Sequence, residues 1–290
     1  MRSLSFIAKQ TIAFFCGAFG LSDIKLKRLN KKYHNNYIRI VNYHFSPKKY
    51  AKHFEKQVKW LTNKFENVDY NKLNAFLVGE YTFKSKPGII FTFDDGFLEN
   101  YEVAYPILKK YGAVGWYMLS AGLIGEVQHV NCYGKKVDYI GQKEIDELLA
   151  DNSVIGCHTY THHRMSVDDT FEILKHEIVD SKIKLEEITQ RRIDLFCWCG
   201  GEEWTYTKQA ADLIRNSGYS LAMMTNSCPI TSDTDKFQLD RTNLEPSWAM
   251  SLVKFQISGF IDKRYEKKRA RVHALTKQIE GVQNENCQYC

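Results

Sequence analysis

The chain has 290 residues, 44% of them hydrophobic and 26% charged. That balance excludes a disordered or fibrous protein and allows one large domain or two small ones. The formal net charge of +6 is unevenly placed: residues 1–36 hold seven Lys/Arg against one Asp, and residues 262–290 hold seven Lys/Arg against four Asp/Glu. The segment between is therefore slightly acidic. Basic ends of this kind meet solvent or acidic surfaces. No aromatic-interleaved basic motif or zinc-finger spacing supports a nucleic-acid partner. The eight cysteines are irregularly spaced along a long chain. This fits buried thiols in a reducing compartment better than a disulfide framework. Cys287 and Cys290 make a single CxxC, too few thiolates for a four-cysteine zinc site.

No run reaches the roughly 20 apolar residues that span a bilayer. The nearest, residues 12–21, follows Arg2 and Lys9. It reads as the apolar region of a signal peptide or as the start of a basic amphipathic helix. The helix is favoured because Ile24, Leu26 and Leu29 continue the pattern and no small-x-small cleavage site follows cleanly. Residues 37–43 alternate and are β-branched, so they predict a strand. In residues 47–65, Tyr50, Phe54, Val58, Leu61 and Phe65 recur at helical spacing. Residues 88–93 are an apolar strand, 97–111 a helix stopped by Gly112, and 113–119 a strand. A short helix at 141–150, a strand at 153–158 and a long helix at 167–188 follow, the last with Asp168 and Asp169 in its first turn. Then come a strand at 195–198, a helix at 205–216 ended by Gly218, and strands at 219–224 and 237–241. The final helix is expected at 247–257, with Ser247 as N-cap.

Strands alternating with helices imply parallel pairing through helical crossovers. About seven such units around one core predict an irregular TIM-like (β/α)7 barrel over residues 37–261. Residues 1–36 would form a basic amphipathic extension and residues 262–290 a basic tail. In such barrels the chemistry sits at the C-terminal ends of strands.

Two motifs occupy such ends. Asp94 and Asp95 directly follow the strand GIIFTF and precede Gly96, which permits a turn. Neighbours on a strand point apart unless the chain turns. An Asp95 N-cap beside a solvated Asp94 is the other reading. His158 ends the strand SVIGCH, and His162 lies four residues on. Two imidazoles and one carboxylate would hold a metal with open positions for water and substrate. With His163 beside them, a His-rich surface loop is the bland alternative.

Taken together, TFDDG at 92–96 and HTYTH at 158–162 resemble the polysaccharide deacetylase family, the NodB-homology domain of carbohydrate esterase family 4. The resemblance covers roughly residues 37–258. It implies a distorted (β/α) barrel that removes acetyl groups from acetylated amino sugars. It further implies Asp94 as catalytic base and Asp95, His158 and His162 as ligands of a divalent metal, usually zinc. Many members carry an acidic His on a late strand, but FQLDRTNL has none. Tyr43-His44 instead ends the first strand, as in the circularly permuted subgroup that includes poly-N-acetylglucosamine deacetylases. His44 is thereby the candidate general acid, against a reading in which it caps the segment near Ser46 and Pro47.

The segment FCWCGG at 196–201 stands where the family has an aromatic wall with proline, and Cys199 replaces that proline. The family's base-orienting arginine has no clear counterpart, and Arg241 at a late strand end is the substitute. Trp198 and Trp204 are candidate sugar-stacking residues, and Arg241 is grouped with them near the substrate. The resulting expectation is a zinc-dependent N-deacetylase acting on an acetylated carbohydrate. The alternatives are an O-acetyl esterase on the same site and an inactive carbohydrate-binding barrel. The expected location is cytoplasmic, with peripheral membrane contact through the basic ends.

Overall fold

The computed structural model describes residues 4–277. Seven strands form a closed parallel barrel: β1 (Ile38–Tyr43), β2 (Gly88–Phe93), β3 (Gly115–Leu119), β4 (Val154–Cys157), β5 (Leu195–Cys197), β6 (Leu221–Met224) and β7 (Leu239–Asn243). They stand around the barrel in chain order, and β1 pairs with both β2 and β7, which closes it. Both faces of these strands are buried, as parallel sheets under helices require, which is why GIIFTF reads as a continuous apolar run. Ile40, Ile90, Trp116, Met118, Leu195 and Met223 pack in one core cluster. Residues of opposite parity, such as Val41, Phe91, Tyr117 and Phe196, pack with the helices in a second. The closure is irregular: β4 and β5 share the single register pair Cys157↔Phe196.

The helices are α1 (Leu4–Ala18), α2 (Leu21–Lys32), α3 (Ala51–Lys64), α4 (Tyr70–Leu77), α5 (Tyr105–Lys110), α6 (Gln142–Ala150), α7 (Phe171–Lys175), α8 (Ser181–Thr189), α9 (Lys208–Asn216), α10 (Met250–Ile257) and α11 (Asp262–Thr276). The long helix expected from residue 167 begins only at Phe171, where the Thr170 side chain accepts from the Ile173 N–H. Asp169 sits before it, accepting from the Ser166 N–H and facing His163. Ser247 is not a cap either: α10 starts at Met250, and the Ser247 hydroxyl donates to Glu245. The last strand runs two residues later than its apolar pattern suggests, because Arg241 and Thr242 are buried polar members of it. The expected reading missed α4 and an antiparallel pair, residues 129–130 with 136–137.

The two basic ends behave differently. Helices α1 and α2 lie against α10, with Ala13 and Leu26 buried and Lys254 paired to Asp23 at 3.0 Å. The opposite face of this hairpin leaves Ile12, Phe14, Phe15, Phe19, Leu21 and Ile24 exposed. Residues 262–276 are not a solvated tail but a docked helix. Arg39, fully buried on β1, donates to both carboxylate oxygens of Asp262 at 3.0 and 2.6 Å. His273 lies 2.9 Å from Asp240, and Arg269 donates to the Asn226 and Ser227 carbonyls. Polar contacts of this kind are invisible to a hydrophobic pattern. The Cys287–Cys290 pair lies outside the described residues. No helix among the described residues is long and apolar enough to cross a membrane.

Candidate active site

His44, Asp94 and His158 each follow directly on a barrel strand, at the same end of the barrel. Register explains the first two: Tyr43 pairs with Phe93, so His44 lies beside Asp94, whose N–H donates to the Tyr43 carbonyl. Asp94 continues the parity of Ile90 and Thr92 and points inward. Asp95 would then point outward, but its φ of 71° turns the chain into the left-handed region, and Gly96 follows at 77°. A non-glycine residue there is uncommon, and such strain gathers at functional sites. The same conformation recurs at Thr159 (64°) and His162 (63°), which fold the second motif back onto the first.

The result is a compact set. Asp95 Oδ1 lies 3.0 Å from His162 Nε2 and 3.4 Å from His158 Nε2. Neither Asp95 oxygen accepts a hydrogen bond, although both are buried, so Asp95 is not a helix N-cap. A buried carboxylate without donors, facing two imidazole nitrogens, fits a shared cation better than an isolated state. His158 Nδ1 lies 3.0 Å from the Cys197 carbonyl, the partner that fixes a ligating imidazole with Nε2 free. Burial works to raise the Asp95 carboxyl, but the facing imidazoles of His158 and His162 outweigh it and hold it far below the usual carboxylate range. His163 turns away to Asp169 at 3.0 Å, leaving two histidines rather than three at the centre. Thus Asp95, His158 and His162 are brought together, and their donor set fits a divalent metal.

Asp94 is held separately. Arg241, fully buried, donates to its Oδ1 at 2.6 Å and its Oδ2 at 2.9 Å, and Asn42 donates to Oδ2 at 2.9 Å. Burial alone would raise the Asp94 carboxyl, but the Arg241 charge outweighs it, with His158 adding to the effect, and the pKa falls below the usual value. Arg241 therefore orients the Asp94 carboxylate. At 1% exposure it cannot also touch substrate, which corrects its grouping with the sugar-contacting residues. His44 Nε2 stands 3.9 Å from Asp94 Oδ2 with its ring one-third exposed. It does not cap the next segment, where Pro47 precedes the helical turn without a side-chain cap. Asn100 donates to the His44 carbonyl at 2.9 Å, so the helical segment after the Asp pair also fixes the His44 loop.

His44, Asp94, His158 and His162 line an open cleft of about 290 Å³. Its rim carries residues the sequence reading did not single out, including Tyr133, Arg164, Glu202, Asn243 and Tyr265. Tyr265 comes from α11, so the segment expected to be a tail helps to build the cleft. Tyr133 is set by Phe45, which stacks on Phe97 at 4.5 Å and meets Tyr133 edge-on at 5.6 Å. Glu177, also missed, accepts from the Tyr160 and Thr161 N–H groups and the Thr161 hydroxyl, pinning the HTYTH loop. Trp198 is buried among Phe196 and Tyr206 and is a core residue rather than a sugar platform. Trp204 is exposed, two residues beyond the rim residue Glu202.

The family model for polysaccharide deacetylase matches residues 83–222, which hold both motifs. That segment of the chain matches the polysaccharide deacetylase family. Its members are hydrolases. Among relatives, the Bacillus subtilis protein YxkH, named for polysaccharide deacetylases, is 23% identical over 201 residues, 69% of this chain and 67% of that one. The poly-beta-1,6-N-acetyl-D-glucosamine N-deacetylase of Staphylococcus aureus is 30% identical over 167 residues, 54% of this chain and 53% of that one. The chain thus matches about half the length of the staphylococcal enzyme. The structure of IcaB from Ammonifex degensii superposes with a TM-score of 0.63 at 20% identity, covering 78% of this chain and 97% of that one. That likeness bears out the (β/α)7 barrel.

Proposed function

We propose that this chain is a member of that family, a metal-dependent hydrolase that removes N-acetyl groups from an acetylated amino sugar in a polysaccharide, glycolipid or oligosaccharide. The observation that carries this reading is the convergence of Asp95, His158 and His162 beside an independently held Asp94, with Asp94 and both histidines lining one open cleft. Asp95, His158 and His162 would hold the ion. Zinc suits two imidazoles and a carboxylate, and cobalt, nickel or iron fit similarly. Such an ion supplies water of lowered pKa and positive charge near the acetyl carbonyl oxygen.

The chain's own groups do the rest. Asp94, kept ionised and oriented by Arg241, accepts the proton of the attacking water. His44, next to Asp94 and reachable from solvent, gives a proton to the departing amine. The rim tyrosines Tyr133 and Tyr265 offer ring faces for a sugar, and Arg164 and Glu202 offer polar contacts. Likeness to an enzyme named for poly-N-acetylglucosamine supports the substrate class. Metal analysis and acetate release on His158→Ala test the assignment. Both should fall together, whereas undiminished activity in metal-free protein would end it.

The α1–α2 hairpin supports a peripheral membrane contact in the same reading. Its exposed apolar face stands among Lys25, Lys27, Arg28, Lys31 and Lys32, a pairing suited to an anionic surface. Part of the basic charge of α11 is used internally, because Arg269 is tied to carbonyls and Arg271 to Glu203. The hairpin should therefore dominate any attraction. Replacing Phe15 and Phe19 by Glu should abolish co-sedimentation with anionic vesicles at low salt. Equal binding by both proteins would refute the contact.

A further inference from the structure

The metal-site residues have a neighbour that neither motif contains. Cys199 Sγ and one ring nitrogen each of His158 and His162 all lie within 4.8 Å of one another. Two donors on one tetrahedral zinc stand about 3.5 Å apart, given Zn–S near 2.3 Å and Zn–N near 2.0 Å. A small side-chain adjustment spans that difference. Resting on the metal-site reading above, we propose that Cys199 is a further protein donor to the ion held by Asp95, His158 and His162.

Three observations converge on it. The thiol is buried, with 1% of the residue exposed, so it is not a surface cysteine that happens to lie near a cleft. Its contacts are the His158 carbonyl at 3.4 Å and the Thr159 hydroxyl at 3.5 Å, which tether it to the segment that supplies the imidazoles. Asp95, likewise buried, has both carboxylate oxygens without a hydrogen-bond donor beside the same two imidazoles. Asp95 lies outside the set of donor atoms within 4.8 Å of one another, so an ion held between the two imidazoles would have Asp95 and the sulfur as separate further donors, each drawn in by side-chain adjustment. On binding, the Cys199 S–H bond breaks, its proton passes to solvent, and a sulfur–metal bond forms with no change of oxidation state. The donor set becomes two nitrogens, one oxygen and one sulfur. A thiolate shifts preference toward zinc and cobalt over manganese and magnesium. Four protein donors also require water to enter as a fifth ligand, an expansion that zinc sites permit.

Cys132 is the rival thiol. It is exposed and lines a small side cavity with Asp95 and His162. The full chain loaded with cobalt(II) separates the possibilities. Wild type should show a thiolate-to-cobalt charge-transfer band in the near ultraviolet, retained in Cys132→Ser and lost in Cys199→Ser and Cys199→Ala. If the Cys199 variants fold poorly, the Cys132→Ser spectrum decides the case, because a band retained there excludes the rival thiol. Cobalt bound at full occupancy without the band overturns the Cys199 assignment and leaves the metal site standing. A band that persists without Cys199, or vanishes with Cys132, overturns it as well. Absence of any cobalt binding refutes the metal site itself and this proposal with it. Zinc affinity should also fall in Cys199→Ser by more than the roughly 10–100-fold that loss of an outer partner of a ligand costs.

Discussion

The two ends of the barrel differ in a way that size alone would misjudge. The larger cleft, about 480 Å³, lies at the N-terminal ends of β3, β4 and β5, lined by Val114, Val154 and Leu195 together with Asp151, Arg192 and Asp194. The smaller cleft, about 290 Å³, lies at the opposite end. The larger one carries ordinary surface pairs, such as Arg192 with Asp194 at 2.6 Å, the arginine two-thirds exposed. The end of the barrel that holds the smaller one also holds a buried arginine–carboxylate pair, a carboxylate without donors and three residues in left-handed backbone. Burial and strain cost stability, so a fold keeps them where chemistry needs them. The contrast teaches that volume locates space, whereas unsatisfied and strained groups locate function.

Substitutions at the two ends should separate accordingly. Asp94→Asn should lower kcat by about 10²–10⁴-fold, the usual worth of a general base, while metal content measured by elemental analysis stays at wild-type level. Loss of metal along with activity would move Asp94 into the ligand set. Arg241→Ala should destabilise the fold by about 3–5 kcal/mol in denaturant unfolding, because it leaves a buried carboxylate unpaired. A change below 1 kcal/mol would mean that Asp94 is solvated in solution. His44→Ala should cut amide deacetylation much more than ester deacetylation, since an alkoxide leaving group needs a proton less than an amine does. Equal losses on both substrates would remove His44 as the acid. At the other end, Arg192→Ala should cost under about 1 kcal/mol and leave acetate release unchanged. A large activity loss there would break the comparison between the ends.

The sequence displayed the barrel because parallel strands buried on both faces leave dense apolar runs, and GIIFTF was legible to the residue. The two motifs were legible because spacing along the chain brings strand-end residues to one place. Arg241 was found as the substitute for a missing arginine, but its burial was not, since exposure depends on β1 and β2 closing over it. Trp198 misled because an aromatic side chain carries no mark of which side of a strand it takes. Tyr133, Tyr265 and Glu177 escaped notice because their roles come from loops and a helix that meet the site only in three dimensions. Docking of α11 was hidden for a related reason. It rests on Arg39, Asp240 and Asp262, whose charges look like surface residues until they are paired.

The most direct test of the central claim is acetate release by the full chain from a panel of N-acetylated glycans, before chelation, after chelation, and after readdition of zinc. Release that the chelator abolishes and zinc restores is expected, with about one ion bound per chain when active, as for a single site of this kind. Acetate release that persists in metal-free protein, or binding of the glycans with no release under any metal, would contradict it.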